Sequence, residues 1–288
     1  MKCYLCGHKN FNNVDGKLRD DDFLTVLECG NCSLKQLSSF EHIDENYYED
    51  NKMMECELSF KEDCQSWARD GMIDDDRRIE HFKQDIVNKK ILDFGAGVSN
   101  FALKSLKLAR DVTSLEVSEK MLNYNKSLNS KLSIVSNLSE LKETDKFDTI
   151  FLFHVLEHIA DPISLINSLI QHLEKDGNII IEVPNADDAL ITLYNSESYK
   201  NFYYWKCHLF YYTSHTLRRL FAKIGVNVDY IKQVQRYPLS NHLHWLNKGQ
   251  PGGHKSLNFL DSKIMNLEYE NSLSKLGKCD TLVCRINK

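Results

Sequence analysis

The sequence predicts an α/β protein built on a doubly wound parallel sheet, and three observations carry that prediction. From residue 77 onward short apolar runs alternate with helix-length segments, the pattern that lays strands in one sheet with helices on both faces. The run Ile91-Leu92-Asp93-Phe94 ends beside an acid and passes through Gly95-Ala96-Gly97-Val98-Ser99 into a helix start at Asn100-Phe101. Two glycines two apart let the backbone turn sharply and come close to a ligand. A second run, Val112-Thr113-Ser114-Leu115-Glu116-Val117, sets Glu116 about 20 residues past the glycines, where an acid can accept both hydroxyls of a ribose. Dinucleotide sites use the same turn with a third glycine where this chain has Ser99. A tight strand-to-helix turn also needs glycine when no ligand is present, so this motif alone leaves both readings open.

Taken in order, the first 40 residues hold two C-x-x-C pairs, Cys3/Cys6 and Cys29/Cys32, each with a glycine beside it (Gly7, Gly30). Paired thiols on glycine turns are the pattern of a tetrahedral zinc ribbon. A redox pair or two disulfides would also use four cysteines, but the chain begins without an export signal, which favours zinc. A segment this short cannot build a core alone, so metal would supply its folding energy. Its clearest strand is expected over Phe23-Leu24-Thr25-Val26-Leu27. Residues 41–76 read as a helical cap, polar and aromatic, with Asp74-Asp75-Asp76 as a helix cap or a solvated charge run. Strands are expected at 90–94, 112–117, 132–136, 147–153 and 178–183. Cys56, Cys64, Cys207, Cys279 and Cys284 show no ligand spacing and are expected to be buried thiols.

The glycine turn, Glu116 and the stretch Val155-Leu156-Glu157-His158-Ile159-Ala160-Asp161-Pro162 together resemble the class I S-adenosylmethionine-dependent methyltransferases. Within them the chain is most similar to the small-molecule and sugar-modifying members of bacterial surface-polysaccharide clusters, over residues 75 to 235. The resemblance implies a Rossmann-like core over residues 77–288. Two further strands, 226–234 and 279–286, would complete a seven-stranded, mostly parallel sheet, the last strand antiparallel beside the fifth. It implies a cofactor site of Asp93, Gly95, Ala96, Gly97, Glu116, Val117, Asn137, Leu138, Phe153 and His154, with S-adenosylmethionine as methyl donor. The stretch Lys206-Cys207-His208-Leu209-Phe210 resembles the family element whose histidine faces the acceptor.

Methyl transfer to oxygen is an in-line displacement in which a base removes the hydroxyl proton, and histidine titrates in the right range. The candidates are His154, His158, His208, His242, His244 and His254, with His208 as base and His154 as positioner. A histidine at a strand-loop junction can instead satisfy local backbone groups. Glu157 and His158 could hold a divalent metal, as in some quinone O-methyltransferases, or brace the following helix. The insertion at 236–277 is longer than a hairpin needs, and a substrate lid and a homodimer contact both fit it.

A net charge of -5 argues against a phosphate backbone as main partner, so nucleic acid is disfavoured. No apolar run reaches membrane-spanning length, and a cytoplasmic protein is expected. The leading reading is methyl transfer to a hydroxyl of a small acceptor such as a sugar, nucleotide-sugar or glycan precursor. The alternatives are an RNA methyltransferase that reads substrate with the ribbon, and a non-catalytic scaffold that kept the fold.

Overall fold

In the computed structural model the described residues are 1–44, 46–50, 59–128 and 131–288. Cys56 and part of the 41–76 segment lie outside them. Among the described residues eleven strands form two sheets: β1 (Phe11–Asn13), β2 (Val26–Cys29), β3 (Lys35–Leu37), β4 (Lys90–Phe94), β5 (Asp111–Leu115), β6 (Ser133–Val135), β7 (Phe147–Phe153), β8 (Leu173–Pro184), β9 (Phe210–Tyr211), β10 (Asn227–Val234) and β11 (Thr281–Asn287). The large sheet has seven strands in the order β10-β11-β8-β7-β4-β5-β6. The expected last strand lies beside the fifth of that sheet, β8, as the resemblance implied.

At the centre, β4 runs parallel to both β5 (Leu92 opposite Thr113) and β7 (Leu92 opposite Ile150). A strand with parallel neighbours and helices on each face is buried on both sides, so its sequence is continuously apolar rather than alternating. Ile91, Leu92, Ile150, Phe151, Leu152, Ile179, Ile180 and Ile181 are all fully buried. The chain divides into two compact units. One comprises Met1–Phe40, Leu156–Ala160 and Glu182–Cys284; the other comprises Glu41–Val155, Asp161–Ile181 and Arg285–Lys288.

In the first unit, β1, β2, β3 and β9 form a small antiparallel sheet. Of these four strands the sequence singled out only the one expected over 23–27. β9 comes from far along the chain, pairing Tyr211 with Lys35 and Phe210 with Gln36. The expected strand at Phe23 is displaced to Val26. The Asp21 carboxylate accepts from the Phe23 and Leu24 amides at 2.8 and 2.7 Å, an Asx turn that leaves Phe23 93% exposed. The 236–277 stretch forms helices at Leu239–Lys248, Gly253–Ser256 and Lys263–Leu276.

In the second unit, the helix Phe60–Asp70 starts on a capping box in which the Ser59 side chain and Glu62 bond each other's backbone. The next helix, Met72–His81, takes Gly71 at its cap, so the three aspartates are not the cap residues. Asp74 and Asp75 lie in its first turn, at the positive end of the dipole, and Asp75 is buried. Phe82, Phe101, Phe151 and Phe153 form one aromatic cluster beneath the glycine turn. Phe101 meets Phe151 and Phe153 edge-on at 4.9 Å each, and Phe82 stacks on Phe153 at 5.8 Å. Cys64, Cys207, Cys279 and Cys284 are buried and form no disulfide, as expected from their lack of spacing.

The cluster yields a direct stability test. Phe101→Ala removes the ring shared by two neighbours, and urea unfolding should show a loss of about 3–5 kcal/mol.

Candidate functional site

The site in the second unit is assembled where β4, β5 and β7 end. Gly95, Gly97 and Ser99 all have left-handed backbone, with φ of 74°, 52° and 56°. Each of the two glycines has its own reason. A Cβ on Gly95 would fall 2.5 Å from Val155 Cγ2, so the chain leaving β7 packs on bare backbone there. A Cβ on Gly97 would meet nothing within 4 Å, so that glycine faces open space. Ser99 keeps the conformation of the missing third glycine. Its buried hydroxyl bonds Ser114 Oγ on β5 at 2.9 Å, which helps offset the strain of a left-handed side-chain residue.

Glu116 ties this turn to β5. Its Oε2 accepts from the Gly97 amide at 2.7 Å and its Oε1 from the Ser118 amide at 2.9 Å. Burial pushes the carboxyl up from its ordinary range, while the amides of Ser118, Gly97 and Val117 pull it back. Each oxygen has accepted one of these N–H groups and keeps lone-pair capacity for another donor. The Gly95 and Ala96 amides both donate to the Leu115 carbonyl, at 2.9 and 3.0 Å, closing the loop against β5. Val117 follows, 37% exposed at the strand end. Asn137 is exposed, and its side chain accepts from the Ser139 amide, capping the turn Leu138–Glu140 after β6. Phe153 ends β7, and His154 follows it in left-handed conformation at φ 55°.

Two contributors to this site, Asn125 and Arg78, were not singled out in the sequence, and a third, Asp75, was read only as part of a helix cap or solvated charge run. Asn125, fully buried on the helix Glu119–Leu128, donates from Nδ2 to the Gly97 carbonyl at 2.7 Å. Its signal was there: an amide four residues after Met121, on that helix's apolar face. Arg78 lies 4.4 Å over the Phe153 ring and pairs with Asp75 at 3.2 Å. In sequence both belong to an acid-base run that reads as surface.

Asp93 is buried, and its carboxyl is pushed up to about 7, first by burial, then by the Asp75 charge, with Arg78 pulling down and Glu116 adding to the rise. A carboxyl whose folded value lies above its unfolded one binds protons more tightly in the native state. Its contribution therefore falls as pH rises from the unfolded value near 4 through about 7. Asp93→Asn should remove this component, so denaturation midpoints at pH 5 and pH 7.5 should differ less in the variant than in the wild type.

The first unit holds the remaining candidates. Cys3 Sγ lies 3.4 Å from Cys32 Sγ, and Cys6 Sγ 3.6 Å from Cys29 Sγ. Both separations are far beyond a disulfide and close to the roughly 3.8 Å edge of a four-thiolate zinc tetrahedron. Burial acts to raise the Cys6 thiol but hydrogen bonds from Asn31, the His8 backbone and Cys29 bring it down, whereas burial holds Cys3 and Cys32 above the ordinary thiol range. His208 packs edge-on against His158, ring centroids 4.8 Å apart, and His158 Nδ1 lies 2.9 Å from the Cys207 carbonyl. His242 is buried between the Tyr269 hydroxyl, 2.7 Å from its Nδ1, and Gln235, and burial pushes it down to about 4. His244 Nδ1 bonds the Gln250 carbonyl at 2.8 Å. These two of the six candidate histidines are engaged in holding the 236–277 helices.

The Methyltransferase domain family matches residues 68–231, more than half of the chain. A ubiquinone biosynthesis O-methyltransferase of Hydrogenovibrio crunogenus is 25% identical over 185 residues, 58% of this chain and 77% of that protein. A tRNA U34 carboxymethyltransferase of Sulfurimonas denitrificans is 50% identical over 38 residues, 13% of each protein. Among solved structures, a SAM-dependent methyltransferase from Archaeoglobus fulgidus superimposes with a TM-score of 0.49 at 16% identity, covering 75% of this chain and 94% of that one. No helix among the described residues is long and apolar enough to cross a membrane. The match over residues 68–231 places the chain in the methyltransferase domain family, as an S-adenosylmethionine-dependent methyltransferase.

Proposed function

We propose that the chain methylates a hydroxyl of a small acceptor, of the sugar, nucleotide-sugar or glycan-precursor class. The observation that carries the methyl-transfer half is the Glu116 carboxylate held by two amides beside a glycine whose Cβ position is open. The residues present fit the cofactor. Glu116 has lone-pair capacity for a ribose diol, Val117 and Leu138 offer apolar surface for an adenine ring, and buried Asp93 supplies a carboxyl beside the turn. S-adenosylmethionine, when bound, supplies an electrophilic methyl group on a sulfonium sulfur. Gly95, Ala96 and Gly97 give the backbone its close approach, and Phe153 and His154 close the end of β7.

The acceptor half rests on chemistry and on the family resemblance. A hydroxyl must lose its proton as its oxygen attacks carbon, and the imidazole of His208 would take it, with His154 as positioning residue. The Hydrogenovibrio relative is an O-methyltransferase, which supports oxygen as the methylated atom. The four thiols Cys3, Cys6, Cys29 and Cys32 would hold a structural zinc ion, in keeping with a closed four-sulfur donor set. The net charge of -5 weighs against RNA as acceptor, although the 38-residue likeness to a tRNA enzyme favours it. RNA binding would weaken steeply with added salt through counterion release, whereas binding of a small neutral sugar would not.

Two variants separate the halves. Glu116→Gln keeps the size and loses the charge, and should weaken S-adenosylhomocysteine binding about 10- to 100-fold, read by thermal shift or calorimetry. An unchanged affinity would place the ribose elsewhere. His208→Ala should leave that affinity alone and lower turnover on the acceptor by about 10²–10⁴-fold. Full activity in this variant would remove His208 from the base role.

A further inference from the structure

A second group of metal-ligating side chains lies in the first unit, apart from the four thiols. His158, Cys207 and His208 each offer a ligand atom, and these atoms all lie within 4.8 Å of one another. We propose that they form a transition-metal site with a borderline-soft preference, zinc being the ion of choice, and with its fourth position open. The proposal concerns ion binding and stands whether or not the acceptor is a hydroxyl.

Two independent features point to a ligand. The first is the donor set. One thiolate and two imidazoles suit zinc, copper or cobalt, whereas magnesium and calcium take oxygen ligands. A tetrahedral ion with bonds of about 2.0–2.3 Å spaces its ligands about 3.3–3.8 Å apart, so the three groups need to close by roughly 1 Å. The second is the orientation of His158. Its Nδ1 lies 2.9 Å from the Cys207 carbonyl oxygen, which can only accept, so Nδ1 carries the proton. In the neutral ring the lone pair then lies on Nε2. Metal-binding histidines are held in this way, with the other ring nitrogen donating to a backbone carbonyl that fixes tautomer and ring plane.

The backbone fixes the juxtaposition. The turn Leu156–His158 is joined to the strand that begins at Phe210 by the Leu209 amide, which donates to the Glu157 carbonyl at 2.8 Å. The His208 amide donates to the Trp205 carbonyl at 3.0 Å. Trp205 packs edge-on against His208 at 5.3 Å and His158 at 6.4 Å, walling one side. Cys207 is fully buried while the two histidines are half-buried. The ion would therefore rest on a buried sulfur and be reached past the imidazoles. Three protein ligands leave room for water or an oxygen ligand, the arrangement of an open rather than a closed zinc site. With the ion bound, His208 is a ligand, so base catalysis through its imidazole belongs to the metal-free form.

The test is metal content and imidazole spectroscopy on the full chain, purified reduced, stripped with chelator and reloaded with Zn²⁺. The His158→Gln and Cys207→Ser variants should each hold one equivalent less zinc than the wild type, while Cys29→Ser should lose a different equivalent and keep this one. In the wild type, ¹⁵N signals of two histidine side chains should shift on zinc addition and be absent from the set that shifts in the His158→Gln chain. If Cys207→Ser does not fold, the wild-type spectra still decide. Equal zinc content in the wild type and His158→Gln, or histidine signals that ignore saturating zinc, would overturn the proposal. Metal content is read without turnover, so that result leaves the methyl-transfer reading untouched.

Discussion

The bond from the Gly97 amide to the Glu116 carboxylate organises the second unit. It links the turn after β4 to the end of β5, and it holds in place a backbone that otherwise has little reason to be ordered: three left-handed residues within five positions. Left-handed backbone costs a residue with a side chain on the order of 1 kcal/mol or more, so it persists only where its surroundings over-determine it. Here the surroundings are specific. Leu115 accepts two amides of the loop, Asn125 donates to the Gly97 carbonyl, and Ser114 meets the Ser99 hydroxyl. Replacing the usual third glycine by serine is tolerated because β5 presents a partner at that position.

The same carboxylate connects architecture to chemistry. A parallel sheet gathers strand ends at one edge, and β4, β5 and β7 deliver Asp93, Glu116 and Phe153 there. Burial raises Asp93 and Glu116 above their ordinary range. Two desolvated carboxyls near each other are a cost to the fold, and a cationic neighbour relieves it. Arg78 partly fills that role, placed by a helix whose acid-rich first turn is drawn toward the positive helix end.

In the first unit the organising feature is β9. Two residues long, it closes a four-stranded sheet with β1, β2 and β3 and directly follows Cys207 and His208. A ribbon of this size has little core of its own, and added pairing is one physical means of ordering it. The separations among its four thiols are too long for a covalent bridge and close to the edges of a tetrahedral four-sulfur donor set. The pairing also sets the stretch around Cys207 against the turn at Glu157, which brings together residues separated by half a hundred positions.

What was legible in the sequence was local or periodic. Apolar runs within them marked β4, β7 and β8, since a strand buried on both faces is mostly apolar, and Asp93 is the buried acid that interrupts β4. Gly95 and Gly97 marked a turn, because only glycine adopts such backbone without strain. Glu116 and the C-x-x-C pairs followed from spacing along the chain. Partners chosen across a distance left no mark in the sequence. Arg78 and Asp75 sit in a charged run whose composition is that of a solvated helix face, and only packing turned them inward. Phe23 read as strand until Asp21 captured its amide. Cys207 carried no ligand spacing, because its neighbours in space, His158 among them, lie 49 residues away, and side-chain proximity across loops leaves no period in a sequence. Local pattern marked the strands of the large sheet, the glycine turn and the carboxylate beside it. The tertiary structure determined which side chains meet, because that depends on long-range packing and on hydrogen bonds that no local pattern encodes.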